Sequence, residues 1–459
     1  MRRVLAGIAA LFATSCTTTP PTPIVPATSA AAFRTRSLND PALVALAARA
    51  GLAVWPPARV DGPALVLVAL ENAQAVQLAR AKWRVAEAAI RTAGQRPNPT
   101  LSLNPVAVTN AAAGTIPWLL SATLVQLVET ARKRPLRVEA ARYRAEAARL
   151  DLVSIGREAT QMINGLLIDL SVAQARLAAL DTQAAADTGL VEAAEKKLRV
   201  GEDSHVAVVT TRAILNRVEL DRQATMAAQT DTLHQLAIAV GLPAERLPIE
   251  RLTLPRLDTG LSPAFIARAR DAAPLNRADL LARLADYAAA DADFRLQLAG
   301  RTPNAELGPT FEYDQGARKW GLTLAVALPV FNRNGGQIGE AAAQRAQAEK
   351  TFTTAQAAAI GEVDRAVDAY RQAVKALAVA ERLHVQEAER ARAAETLFAR
   401  GEIDRVELLT ARAELAAQGT NLADAQGRVA KAAYAVEAAG QLRADGFDPT
   451  PLILIKGDR

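Results

Sequence analysis

The residues able to do chemistry are few and scattered. The only cysteine, Cys16, follows Ala13-Thr14-Ser15 at the end of a short apolar run, Val4 to Ala13, which Arg2 and Arg3 precede. A charged n-region, an apolar h-region and small residues before a cysteine make a secretory signal with a lipobox-like ending, although Ala13 stands where leucine is usual. The chemistry expected there is lipidation of Cys16; the plainer alternative is an ordinary signal peptide with an incidental cysteine. His205, His234 and His384 lie far apart and, with one cysteine, leave little material for a zinc or thiolate site. Gly335-Gly336 lacks the Lys-Ser/Thr of a phosphate loop and reads as a strand-to-helix turn. Ser, His and Asp all occur, but no nucleophile sits in a recognisable elbow. No enzyme, no cofactor and no metal site are expected.

What organises the chain is repetition. Ala193-Ala194-Glu195, Gly201-Glu202, Val206, Thr210, Arg212-Ala213 and Leu215 recur as Ala393-Ala394-Glu395, Gly401-Glu402, Val406, Thr410, Arg412-Ala413 and Leu415, always 200 residues on. Thr123-Leu124 recurs as Thr323-Leu324. Glu139-Ala140-Ala141 recurs as Glu340-Ala341-Ala342, and Pro97-Asn98 as Pro303-Asn304. The insertions therefore fall between elements. Self-similarity at a fixed period marks a duplicated structural unit. This one is too long for a solenoid repeat, and each copy is half of a protomer.

Composition narrows the class. Half of the 459 residues are apolar but only 4% are aromatic, and the apolar share is carried by Ala, Leu and Val. Such a core, with abundant Arg, Glu and Gln, fits long helices packed closely side by side. A net charge of +6, with acids interleaved among bases and no aromatic-basic pattern, argues against a nucleic-acid partner. No stretch after the signal holds the roughly 18 consecutive apolar residues of a membrane-spanning helix. Thr17 to Ala32, rich in Thr, Pro and Ala, reads as a flexible tether.

The hydrophobic period changes within each repeat. Leu70 to Ala93 has helical spacing, stopped by Gly94, Pro97 and Pro99. Then the period drops to two. Leu307, Pro309, Phe311 and Tyr313 alternate with polar or small residues, and after a turn at Asp314 to Lys319 so do Trp320, Leu322, Leu324, Val326 and Leu328. This predicts a β-hairpin over about 305–328, with a blurrier copy over about 99–127. Arms of about nine residues suit tilted strands crossing a hydrocarbon layer, with Leu322, Leu324 and Val326 facing lipid. Trp118, Trp320, Tyr313 and Phe331 stand near strand ends, as interfacial rings do. A small soluble sheet covered by helices is the competing reading.

After breaks at Pro135 and Asn334-Gly335-Gly336, helical patterns run over about 136–200 and 337–400. They stop at Gly201 and Gly401, and second helices return over about 204–240 and 404–439. The first long stretch alone would extend about 95 Å. Four strands per chain cannot close a barrel, and open edges in lipid leave unsatisfied backbone. Three copies would give twelve strands; two would give eight and a bore filled by side chains.

These segments resemble the TolC-like outer-membrane efflux factors, and within them the CzcC-like branch of heavy-metal exporters. The resemblance is carried by Arg96-Pro-Asn-Pro-Thr-Leu-Ser-Leu103, Gln126-Leu-Val-Glu-Thr-Ala-Arg-Lys-Arg134 followed by Arg137-Val-Glu-Ala-Ala141, Leu328-Pro-Val-Phe-Asn-Arg-Asn-Gly-Gly-Gln-Ile338, Leu198-Arg-Val-Gly201 and Phe398-Ala-Arg-Gly401-Glu402. It spans residues 65 to 442. It implies a mainly α chain with a transmembrane β part: two tandem repeats of helix, β-hairpin, long helix and long helix, in a homotrimer whose 12-stranded barrel continues into a periplasmic α-helical barrel. The implied layout is a lipoprotein signal peptide (1–15), a lipid-linked tether and equatorial segment (16–65) and a first repeat (66–242). An equatorial linker (243–262), a second repeat (263–442) and a tail (443–459) follow. The implied function is the exit duct of a tripartite pump, passing heavy-metal cations or small toxic compounds outward. Its implied partners are outer-membrane lipid, a periplasmic adaptor and an inner-membrane transporter of the RND type.

The resemblance also places the adaptor-docking tips at Val200, Gly201, Glu202, Arg400, Gly401 and Glu402. The family often carries an Asp, one helical step from a second acid, at the narrow periplasmic end. Here those positions are Thr410 and Glu407, so a carboxylate ring would come from Glu407, with Asp404 or Glu414. The competing reading pairs Glu407 with Arg405 or Arg412 on a solvated face. Two other functions share the pattern: an exit duct for secreted protein, and a periplasmic coiled-coil scaffold or adaptor.

Overall fold

In the computed structural model, which describes residues 22–52, 54–111, 114–257, 260–443 and 450–454, the change of hydrophobic period becomes a change of element. Short helices α1 (Pro26–Thr35), α2 (Pro41–Arg49) and α3 (Gly62–Asn72) lead into α4 (Gln74–Ala93), then strands β1 (Thr100–Ala107) and β2 (Trp118–Val128). A very long helix α5 (Lys133–Arg199) and a returning α6 (His205–Val240) follow. After two single 3-10 turns come α7 (Pro263–Asn276), α8 (Ala278–Ala299), β3 (Ala305–Asp314), β4 (Ala317–Val326), α9 (Gly335–Ala399) and α10 (Arg405–Gly440). A last short helix, α11, spans Thr450–Ile453. Cys16 lies outside the described residues.

Both long helices start earlier than their breaks suggest. Ala131 and Arg132, with φ of 52° and 58°, make the turn that launches α5, and Pro135 falls inside its first turn. A proline there removes no helical hydrogen bond, because first-turn N–H groups have no intrahelical acceptor. In α9 the left-handed residue is Asn334, φ 63°, so Gly335 and Gly336 are the first helical residues rather than the break.

The helices form one layer four across. α5 packs on α4, α6, α8 and α10, while α9 packs on α8 and α10. Toward the strands the lateral order is α4, α5, α8, α9; toward the far end it is α6, α5, α10, α9. At about 1.5 Å per residue the 67 residues of α5 run about 100 Å.

The largest bulky core is a belt part-way along α5. Leu152, Ile163 and Leu167 meet Leu43, Leu65, Leu70 and Val76 from the N-terminal helices, Leu236 and Val240 from α6, and Ile453 from α11. Across the layer, Phe265, Val363, Val367, Tyr370, Val429 and Val436 make a second cluster. The belt explains one departure from the sequence reading. α5 contains an 18-residue window of mean hydropathy 1.3, apolar enough to cross a membrane, and half of it is buried in the chain. Its apolarity is accounted for by the surrounding helices.

Beyond the belt the seams are lined with alanine and held in register by ion pairs between helices. Arg176 meets Asp424 at 2.7 Å, Arg222 meets Asp181 at 2.6 Å, and Lys431 pairs with Asp169. Exposed pairs of this kind add little stability each. Their value lies in fixing which residues of two long helices stand opposite.

Candidate functional site

At one end of the layer the four strands form a single antiparallel sheet in the order β1-β2-β3-β4. Residues directly opposite in such a sheet share a face. Leu101 pairs with Leu124, Leu103 with Ala122, Phe311 with Trp320, Pro309 with Leu322, Leu307 with Leu324 and Ala305 with Val326. One face is therefore apolar across all four strands, and Leu322, Leu324 and Val326 are exposed on it. The other face carries Ser102, Asn104, Ser121, Thr123, Glu306, Thr310, Glu312, Lys319 and Thr323. Among the described residues no helix covers either face.

Aromatic rings edge the apolar face. Trp118, Tyr313 and Trp320 gather toward the hairpin turns, where Trp320 lies against Phe311 with centroids 4.9 Å apart. Phe331 stands at the opposite end, beyond β4 and fully exposed. The eleven residues of β2 measure about 33 Å, or about 25 Å in height at a tilt near 40°.

The halves of the chain meet at the β2–β3 seam, which the sequence periodicity did not reveal. The hydroxyls of Thr123 and Thr310 lie 2.6 Å apart on the polar face. Gly308 is pressed so closely on β2 that a Cβ there would come within 1.7 Å of the Leu124 carbonyl oxygen. Pro309 beside it has no N–H to give to the ladder. Among the described residues the outer strands β1 and β4 have no second partner.

At the far end each long helix reverses through the same device. The N–H groups of Gly201 and Glu202 donate to the carbonyls of Leu198 and Lys197, at 3.1 and 2.9 Å. Those of Gly401 and Glu402 donate to Phe398 and Leu397, both at 2.9 Å. This pattern requires a left-handed residue after the cap, and the φ angles of Gly201 and Gly401 are 78° and 72°. The returning helices are capped alike: Ser204 Oγ accepts from the Ala207 N–H at 3.2 Å, and Asp404 Oδ1 from the Glu407 N–H at 2.9 Å. The two tips lie side by side, with Lys197 Nζ 3.3 Å from Asp404 Oδ2. Val200, Glu202, Arg400 and Glu402 are exposed around them.

The expected gate residues separate into different jobs. Asp404 is a helix cap, and the Glu407 N–H, with Lys197 beside it, holds its carboxyl below the usual range. Thr410 turns its hydroxyl back to the Val406 carbonyl at 2.8 Å. Glu414 is taken by Arg390, and Arg412 by Glu395. Glu407 is exposed and, among the described residues, forms no ion pair. The sequence reading missed Asp187, which is only 2% exposed on α5, with Oδ2 unpartnered. Burial pushes its carboxyl up. Its spacing of seven from Leu180 and Ala194 was the available signal.

Comparison with known proteins agrees with this geometry. Residues 269–440 match the family described as outer membrane efflux protein. A search of curated proteins found no match. Among solved structures, the outer membrane protein VceC of Vibrio cholerae is similar at 20% identity and a TM-score of 0.67, covering 83% of this chain and 95% of its own. A membrane protein from Pseudomonas aeruginosa gives 15% identity and 0.69, covering 96% and 100%. The MtrE outer membrane channel of Neisseria gonorrhoeae gives 15% and 0.64, covering 82% and 88%. The family match over 269–440, with a fold shared along most of the chain, bears out the resemblance to the TolC-like outer-membrane efflux factors.

Proposed function

We propose that this chain is the outer-membrane exit duct of a tripartite efflux pump. Three copies close head to tail, two tandem repeats each, into a twelve-stranded barrel continuous with a periplasmic α-helical barrel. The observation that carries this reading is a four-stranded sheet with one apolar and one polar face, uncovered and open at both edges, standing on helices about 100 Å long. In lipid such edges must be paired, and β4 of one copy meeting β1 of the next pairs them all. The polar face then lines the bore and the apolar face meets lipid at Leu322, Leu324 and Val326. The exposed apolar residues of α6 and α9, among them Ile214, Leu220, Val374 and Leu383, are covered by the same closure.

In this reading Cys16 is lipidated, and the tip pairs at Val200–Glu202 and Arg400–Glu402 dock an adaptor that links the duct to an RND-type transporter. Glu407 supplies the carboxylate ring at the narrow end. The cargo is proposed to be heavy-metal cations, on the strength of the CzcC-like segments. The test is reconstitution in a planar bilayer. A conducting oligomer that changes mobility on heating, and whose cation selectivity falls in Glu407→Gln, is the expected result. A chain that stays water-soluble and non-conducting overturns the channel. Conductance and selectivity unchanged in Glu407→Gln remove that residue from the axis. Loss of divalent-metal tolerance on deletion, restored by the gene, supports the cargo; unchanged tolerance refutes it.

A further inference from the structure

The end of the sheet that joins the helices carries an excess of positive charge. Because the strands are antiparallel, all four junctions lie at that end: α4 to β1, β2 to α5, α8 to β3 and β4 to α9. Each contributes an exposed arginine, respectively Arg96, Arg132, Arg301 and Arg333. Among the described residues none of the four forms an ion pair. The junctions are bound to one another, so the arginines sit on a fixed frame. Thr130 Oγ1 donates to the Pro303 carbonyl at 2.7 Å, Lys133 Nζ to the Thr302 carbonyl at 2.6 Å, Arg134 Nε to the Gly94 carbonyl at 2.6 Å, and Asn334 Nδ2 to the Gln297 carbonyl at 2.6 Å.

The remaining charges at this level do not cancel the four. Arg137 is paired with Glu129, which leaves Glu306, on the polar face, as the other carboxylate there. Immediately beside the arginines the apolar face continues past the end of β4 through exposed Leu328, Val330 and Phe331. At the hairpin end the density is lower: residues 107–118 carry no charge, Lys319 is shared by Glu312 and Asp314, and Arg318 is the exposed arginine left there among the described residues.

We infer that this arginine belt, with Leu328, Val330 and Phe331 beneath it, is a binding surface for anionic phospholipid headgroups of the membrane leaflet on the helix side. The inference rests on the outer-membrane reading above, which sets the level of the belt. Apolar residues enter the acyl region while guanidinium groups reach phosphate oxygens at the interface, where Arg forms forked hydrogen bonds. Each basic residue near an anionic surface is expected to contribute about a fivefold preference, weakened by salt. The belt biases the chain toward one leaflet and thereby fixes the depth and direction of the sheet.

The test uses the full chain in two vesicle preparations, phosphatidylcholine alone and phosphatidylcholine with 30% phosphatidylglycerol. Native mass spectrometry counts the lipids retained on detergent extraction. Wild type is expected to retain phosphatidylglycerol well above its share of the vesicle. The quadruple variant R96Q/R132Q/R301Q/R333Q should lose that enrichment while still conducting in phosphatidylcholine. The corresponding four-lysine variant should recover much of it, and single variants R301Q and R333Q should lower it stepwise if the quadruple variant does not fold. A conducting wild type that retains the two lipids in proportion, or a glutamine variant that keeps the enrichment, overturns the lipid surface alone. Failure to insert or conduct in either vesicle overturns the channel reading, and this surface with it.

Discussion

Placing an arginine at position 324 or at position 323 separates a membrane barrel from a soluble sheet. Leu324 lies midway between Trp320 and Leu328 on the apolar face, opposite Leu307, and is 67% exposed. Thr323 is its neighbour on the polar face, opposite Gly308. A charge at the middle of the lipid face costs about 2–4 kcal/mol per copy, and one in the bore carries no such penalty. Because both positions share β4, the backbone cost of arginine in a strand cancels between them. In the insertion equilibrium the difference amounts to about 30- to 1,000-fold per copy, and it is multiplied in an oligomer. The assay is the fraction of heat-modifiable oligomer in outer membranes at matched expression. Leu324→Arg should deplete it severely, with Leu322→Arg close behind, and Thr323→Arg should leave most of it. Equal loss at 323 and 324, or tolerance of both, refutes the assignment of faces.

Other expectations follow from particular contacts. Gly308→Ala forces a Cβ into the Leu124 carbonyl, a backbone group that cannot swing aside, so it should destabilise the oligomer by about 1–3 kcal/mol, read as a lower melting temperature. An unchanged melting temperature would mean that β2 and β3 are not so closely paired. Gly401→Pro, and likewise Gly201→Pro, should abolish pump activity in drug- or metal-tolerance assays while barrel and oligomer persist, because proline cannot adopt the φ of about +70° these turns use. Asp187→Asn should raise the melting temperature at neutral pH. The folded carboxyl is raised above its unfolded value, so its penalty is absent below the unfolded pKa and grows as pH climbs through the folded one. The advantage of the Asn variant should therefore shrink at pH 4.5, and a pH-independent difference would dismiss the buried charge.

The sequence was most readable where local geometry is the whole cause. Period-two alternation set the faces of both hairpins, and the repeated Gly-Glu set both tips, because a left-handed turn needs glycine whatever surrounds it. Helix starts were less readable. A proline in a first turn looks like a boundary, although the helix begins two residues before Pro135. Long-range pairings were hidden. Nothing local says that β2 lies against β3, because alternation is satisfied equally well with either hairpin alone. Asp187 was hidden for a related reason, since an acid on an Arg-rich helix reads as solvated until the neighbouring helices are in place. In the candidate gate the sequence did not show that Asp404 is an N-cap, because an acid before a helix reads the same until the Glu407 N–H is placed at its carboxylate.

The two ends of the molecule place different demands on closure. In the helical part an open lateral edge is tolerable: apart from their capped ends, α6 and α9 make their backbone bonds within the helix, and their exposed faces mix alanine and charge with isolated valines and leucines. In the proposed membrane-embedded sheet it is not tolerable, because β1 and β4 leave ladder groups that hydrocarbon cannot satisfy. In the proposed assembly strand pairing is therefore the step that selects the number of copies, while the helix seams need only be compatible with it. This predicts a hierarchy. Weakening the contact that the proposed closure makes between α6 of one copy and α9 of the next, for instance by Leu220→Glu, should loosen the helical end and raise its conductance while leaving the heat-modifiable oligomer. Breaking the outer edge with a proline in mid-β4, at Leu322, should abolish the oligomer altogether. The reverse order, with the helix variant dissociating and the strand variant assembled, would mean that the helices hold the assembly and that the sheet edges are closed some other way.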